Sequence, residues 1–290
     1  MQLKRKLEAG EFALLAEIEP PKGVDVSGML DSASRVKEDV TAFVVPEMSN
    51  AVMRMSALGA AMMLQNKRME TIMQVSCRDR NRIALQADLL AASACGIENL
   101  MAVTGEDPSY GDHHQAAAVY DIGIEELLGA IGSLQAGKDM AGIELAGAPA
   151  FFAGATANAG LSGNELDREI DAARKKIDAG VRFLITPPLF DVSAIQPFIE
   201  KLGRENVFVI PTVVLLKSVG MARYMARNMP HVHISDELIK RIQKAPDKAR
   251  ECTRVAIETI QAIRKSRLSG AVVATVGWED KLPDIVYGIK

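Results

Sequence analysis

The sequence predicts an α/β fold, a single (β/α)8 barrel spanning residues 1–290. Three observations point to it. Short β-branched or aromatic runs alternate with amphipathic segments from end to end, the pattern of parallel strands joined by helical crossovers. Eight such runs occur in 290 residues, a length typical of eight strand-helix units closed into a barrel. No Pro/Gly/Ser-rich linker interrupts the alternation, so no domain boundary is placed.

The predicted strands are residues 13–18, 42–45, 71–75, 100–103, 151–154, 183–185, 207–210 and 271–276. Between them, apolar residues recur at three- and four-residue intervals, as in Met29, Leu30, Ala33 and Val36 or in Leu238, Ile239 and Ile242. Each such stretch is a helix with one face for the sheet. Asp79 or Asn81 is placed to cap the helix that begins near Ile83, and Ser235 the helix carrying residues 237–242. Met53, Met55, Met62 and Met63 read as adaptable core packing on one helix. The basic run at 240–248 reads as a solvated helical surface. A doubly wound sheet is disfavoured, because AGATANAG (153–160) lacks GxGxxG spacing and no GxxxxGK[ST] occurs.

With 48% apolar and 24% charged residues, the chain has enough apolar mass for a large core and is not expected to be disordered. Its formal charge of -3 argues against a broad nucleic-acid surface, which needs clustered cations to displace counterions. The apolar stretches fall short of a membrane span, and MQLKRKLEAGEF has no signal-peptide core, so a cytoplasmic location is expected. Cys77, Cys95 and Cys252 form no CxxC pair and read as reduced thiols. His113 and His114 lie beside Asp112 without a third ligand at a recognisable spacing, so they read as loop residues and no metal is assigned.

In a barrel the loops that follow the strands share one face, so chemical groups at distant strand ends converge there. Glu17, in LLAEIEPP (14–21), ends the first strand. CRDRN (77–81) follows the third, TGEDP (104–108) the fourth, Thr156 to Asn158 the fifth and TPPLFD (186–191) the sixth. Each has a plain structural reading as well. Glu17 and Glu19 read equally as solvated acids, CRDRN as a helix cap, and TGEDP as a turn built on Gly105 and Pro108 with Glu106 and Asp107 exposed.

Taken in order, these segments resemble the methylenetetrahydrofolate reductase family. The resemblance runs through AEIEPPKG, QVSCRDRNRIALQADLLAASACGIENLMAVTGEDPSYGDH, FFAGATANAG and KIDAGVRFLITPPLFD, then through LLKSVGMARYM, ISDELIKRI and GWEDKLPDIV. The short bacterial form, a catalytic barrel only, is the most similar in look. The resemblance implies a (β/α)8 flavoprotein, holding FAD or FMN, that reduces 5,10-methylenetetrahydrofolate to 5-methyltetrahydrofolate, with the reverse direction open. It makes Glu17, the first acid of E-x-x-P-P, the general acid for N10 of the folate. Gln74, Thr104, Gly105, Glu106, Asp107, Tyr120, Thr156, Asn158 and Lys176 would line the flavin, with Glu106 or Asp107 beside its pyrimidine tuning its redox behaviour by charge. Phe190 would meet the folate.

One departure from the family pattern stands out. Its T-Q-x-x-F-D motif reads T-P-P-L-F-D here, so Pro187 replaces a glutamine that contacts the pterin. Either another side chain, such as Lys217 or Arg78, compensates or the folate sits differently. The resemblance also implies electrons from NAD(P)H or from an iron-sulfur or zinc-bearing partner subunit, and an oligomer or heteromeric complex. The rival reading that Pro187 favours is a non-reducing folate-binding or structural subunit of a larger one-carbon or redox complex.

Overall fold

The computed structural model describes residues 1–229, 231–266 and 268–290. Its eight strands are β1 (Ala13–Glu17), β2 (Ala42–Val45), β3 (Thr71–Ser76), β4 (Asn99–Val103), β5 (Phe152–Thr156), β6 (Phe183–Pro188), β7 (Phe208–Val214) and β8 (Gly270–Ala274). They close into a barrel in sequence order, and β8 pairs in parallel with β1. The helices are α1 (Gln2–Glu8), α2 (Ser27–Val36), α3 (Ala57–Gln65), α4 (Arg82–Ala94), α5 (Ile124–Gln135), α6 (Gly163–Asp178), α7 (Gln196–Leu202), α8 (Val219–Asn228), α9 (Asp236–Lys244), α10 (Lys248–Lys265) and α11 (Leu282–Gly288). This is the (β/α)8 architecture the sequence predicts. No helix among the described residues is long and apolar enough to cross a membrane.

Alternation along each strand splits the apolar residues into two cores. Outward residues such as Leu14, Ala16, Phe43, Val45, Val75 and Val273 pack beneath the helices. Inward residues, among them Leu15, Val44, Ile72, Met101, Phe152, Phe183, Ile210 and Val272, fill the barrel. The rings of Phe152 and Phe183 lie 5.4 Å apart and stack. Gly154 makes room for them, since a Cβ there would run into the Phe183 ring.

The lower end of the barrel is stoppered by α1. Leu3 and Leu7 join the inner core, and the Glu70 carboxylate, just before β3, accepts the backbone N–H of Gln2 at 2.5 Å and of Leu3 at 3.0 Å. It thereby satisfies two of the unpaired donors that begin any helix. Asn99 also donates to Glu70, at 2.9 Å.

Several local expectations are refined. Asn81 caps α4, accepting from Ile83 and Ala84, and Ser235 caps α9 by accepting from Leu238. Asp79 binds Arg78 instead. Strands β5, β6 and β7 run further than predicted, to Thr156, Pro188 and Val214, because pairing with neighbouring strands carries them on. By contrast β8 stops at Ala274, and Val276 turns into the left-handed region at φ 52°. Met53 and Met55 precede α3 rather than belonging to it, and Met53 is exposed. The basic run is more than a solvated surface, because Arg241 pairs with Glu251 and Glu258 of α10.

Replacing Glu70 by Ala is expected to destabilise the protein by about 1–2 kcal/mol, read as a lower urea midpoint with an unchanged slope. An unmoved midpoint would show that this carboxylate does not secure α1.

Candidate active site

At the upper, C-terminal end of the strands lies a cavity of about 410 Å³ whose floor takes one side chain from every strand. Its composition alternates. The odd strands contribute Glu17, Gln74, Thr156 and Thr212, all polar, and the even strands contribute Val44, Met101, Ile185 and Val272, all apolar. In a closed barrel, side chains from alternate strands share a layer, so the polar ring is a direct product of closure. Asn158, Glu169, Lys176, Thr186 and Pro187 form the walls.

Glu17 is the last residue of β1. Removal from bulk water, followed by the nearby carboxylates of Glu19 and Glu279, raises its pKa to about 7. Glu19 is held by Arg54 at 2.9 Å. Glu279 accepts from the backbone N–H of Gly277 at 2.9 Å and from the Thr275 hydroxyl at 3.4 Å. Burial and two fixed acids thus keep a proton on Glu17 close to neutrality.

Gln74 has its amide orientation fixed. The Glu47 N–H donates to its Oε1 at 3.2 Å, which turns the NH2 group toward the sulfur of Met101 at 3.9 Å and the cavity. Lys176 donates to the Thr156 carbonyl at 2.8 Å and stands 3.8 Å from Glu169. The Asn158 Oδ1 is buried without a partner among the described residues. An orphaned acceptor, oriented amide donors and a cation lining one cavity fit a flat, polar heteroaromatic group with ring N–H and carbonyl functions, and the volume lies in the range of cofactor sites.

The remaining predicted residues form a second cluster on the shoulder after β4, outside the cavity wall. Arg78 is its centre. It is buried, bound to Asp79 at 2.7 Å, and its guanidinium reaches the carbonyls of Met48 and Glu106 at 3.4 and 3.3 Å. The Glu106 carboxylate stands 3.7 Å from it. Gly105 adopts φ 85°, where a Cβ would strike Ser76, and its carbonyl accepts from the Tyr120 hydroxyl at 3.0 Å. Thr104 is exposed beside it. Asp107 accepts from the Ser109 N–H, and that contact lowers its pKa. Phe190 lines a neighbouring cleft of about 490 Å³ with Val232, His233 and Leu238.

Neither side chain expected to compensate for Pro187 reaches the cavity. Arg78 is committed as described, and Lys217 lies over the Trp278 ring at 5.9 Å. Four contributors escaped the sequence reading. Glu169 lies two helical turns before Lys176, a spacing that would have put both on one face of α6. Thr212 shares the inward parity of Ile210. Glu47 and Glu279 gave no local signal. The first is buried, bonded to Arg80, and accepts from the Ala57 N–H at 2.7 Å. The second reaches Glu17 only through closure.

The sequence model of the family described as Methylenetetrahydrofolate reductase matches residues 2–276. The chain belongs to the methylenetetrahydrofolate reductase family. It is therefore an oxidoreductase of that activity, in a family that is generally flavin-dependent. A search of curated proteins returned no match.

The Glu17 proton has a consequence for stability. With a native pKa near 7 against 4.5 for the free side chain, the folded state binds more protons than the unfolded one between those values. Stability is then lost as pH rises through that window. Glu17→Gln should raise thermal stability at pH 8 by on the order of 2 kcal/mol and leave it unchanged at pH 4. A variant equally stable to wild type at both pH values would mean that Glu17 ionises normally.

Proposed function

We propose that this reductase is flavin-dependent and that Glu17 is the general acid, delivering its proton to N10 of 5,10-methylenetetrahydrofolate. The observation that carries the reading is a carboxyl group whose pKa is raised to about 7 at the edge of a cavity to which every strand contributes. Opening the imidazolidine ring of the folate requires a proton on the departing nitrogen, and an acid whose pKa lies near the working pH is best suited to supply it. A flavin held in this cavity would supply the hydride that completes the methyl group.

The chain's own residues would do the rest. Gln74, Thr156, Asn158 and Lys176 would hold the cofactor, FAD or FMN, from the β3 to β5 side of the cavity. Thr104, Gly105, Glu106, Asp107 and Tyr120 would hold it from the shoulder. Arg78, by standing beside Glu106, moderates the negative charge offered there. Glu17 and Phe190 would bound the substrate on the opposite side, and the apolar even-strand residues exclude water from the reacting edge. We assign residues 1–290 to one catalytic domain acting in the cytoplasm, able to run in either direction according to its electron supply. NAD(P)H or an iron-sulfur or zinc-bearing partner subunit in a heteromeric assembly would supply the electrons.

Purified protein should be yellow, bleach with reductant, and recolour when methylenetetrahydrofolate is added. Glu17→Gln should keep the colour while recolouring slows by about 10²- to 10⁴-fold; a variant of normal speed would remove Glu17 from the chemistry. For wild type, kcat/KM should be flat below neutrality. It should fall about tenfold per pH unit above a pKa near 7, because the ionised carboxylate has no proton to give. Colourless protein that still binds folate would instead favour a non-reducing binding subunit, the reading that Pro187 supports.

A further inference from the structure

We propose that Thr212 is a specificity residue of this enzyme, recognising the polar edge of the pterin ring. The inference rests on the folate-reducing function proposed above and concerns which side chain on the substrate wall meets that edge.

The cofactor-holding candidates are grouped on β3, β4, β5 and α6. What remains of the cavity wall is the arc from β6 through β7 and β8 to β1, made of Ile185, Thr186, Pro187, Thr212, Val272 and Glu17. A pterin presents a ring N–H flanked by an amine and a carbonyl, and these groups lose hydrogen bonds to water when they enter a site. They need protein partners there.

Most of that arc has none to give. Ile185 and Val272 are apolar. Pro187 has neither a side-chain polar group nor an N–H, and it sits at a register shift in β6 between Thr186 and Pro188. Proline is tolerated within a sheet at such irregularities. Thr186 is buried, and its hydroxyl donates to the Pro187 carbonyl at 3.3 Å. Glu17 is occupied with proton delivery.

Thr212 differs from all of these. It is the register partner of Pro188, and its carbonyl accepts from the Leu189 N–H at 2.8 Å, so the backbone beside the proline pair holds it in place. Its side chain points inward with Phe208 and Ile210 and is partly open to the cavity. Its hydroxyl makes no hydrogen bond to the described residues. A hydroxyl both donates and accepts, so this single group can meet either the donors or the acceptor of that edge.

The test compares wild type, Thr212→Val and Thr212→Ser as flavin-loaded proteins. Valine keeps the shape and removes the hydroxyl, while serine restores it. Thr212→Val should raise KM for methylenetetrahydrofolate and weaken equilibrium binding of 5-methyltetrahydrofolate by about five- to tenfold. Its kcat, its rate of bleaching by dithionite and its thermal midpoint should stay close to wild type, and Thr212→Ser should recover most of the affinity. A Thr212→Val protein that binds both folates normally overturns the inference and leaves the proposed function standing. So does one that loses kcat without losing affinity. Wild-type protein that does not turn over methylenetetrahydrofolate removes both.

Discussion

The parallel pairing of β8 with β1 is the constraint on which the site depends. Ala13 pairs with Gly270 and Ala16 with Val273, which joins the two ends of the chain and leaves no open sheet edge. Glu17 acquires its environment from that seam. Glu19 is a neighbour in sequence, but Glu279 lies 262 positions away and becomes a neighbour only because the strands meet. The same closure forces the odd-strand side chains into one layer. One acid, one amide and two hydroxyls therefore face each other over an apolar layer, with no loop rearrangement needed to assemble them.

Around this rigid floor the rim is held in place under strain. Met48, Asn50 and Ala51, in the loop after β2, and Val276 after β8 all carry positive φ angles. Such conformations cost on the order of 1–3 kcal/mol each in non-glycine residues. They persist because neighbouring loops pin them. Arg78 binds the Met48 carbonyl, Asp112 accepts from the Met53 N–H at 2.9 Å and binds Lys22, and Glu279 holds the turn that contains Val276 through Gly277. Loops from different strands are thus tied to one another by buried or shared charges.

How much of this was legible in the sequence varies with the range of the interaction. All eight strands could be located because their apolar and β-branched runs are local signals. The caps Asn81 and Ser235 were equally plain, being side chains that act within three residues. Strand ends were less legible where tertiary pairing carried β6 through two prolines by way of a register shift. Val276 looked like strand by composition, yet Glu279 draws it into a left-handed turn. Of the residues expected in the site, Glu17, Gln74, Thr156, Asn158 and Lys176 line one cavity. Thr212 and Glu279 were missed because their meaning comes from inward parity and from the seam, neither of which leaves a mark on neighbouring residues. The sequence suggests Arg78 as a substitute for the missing glutamine, but Asp79 and the carbonyls of Met48 and Glu106 already occupy its guanidinium.

The α1 stopper carries one last implication. With Leu3 and Leu7 seated in the inner core and Glu70 gripping the first turn of the helix, the barrel is a blind cup with a single lip. Whatever enters or leaves the cavity shares that aperture, and so does any water that exchanges protons with Glu17. A molecule seated in the cup therefore stands between Glu17 and bulk water.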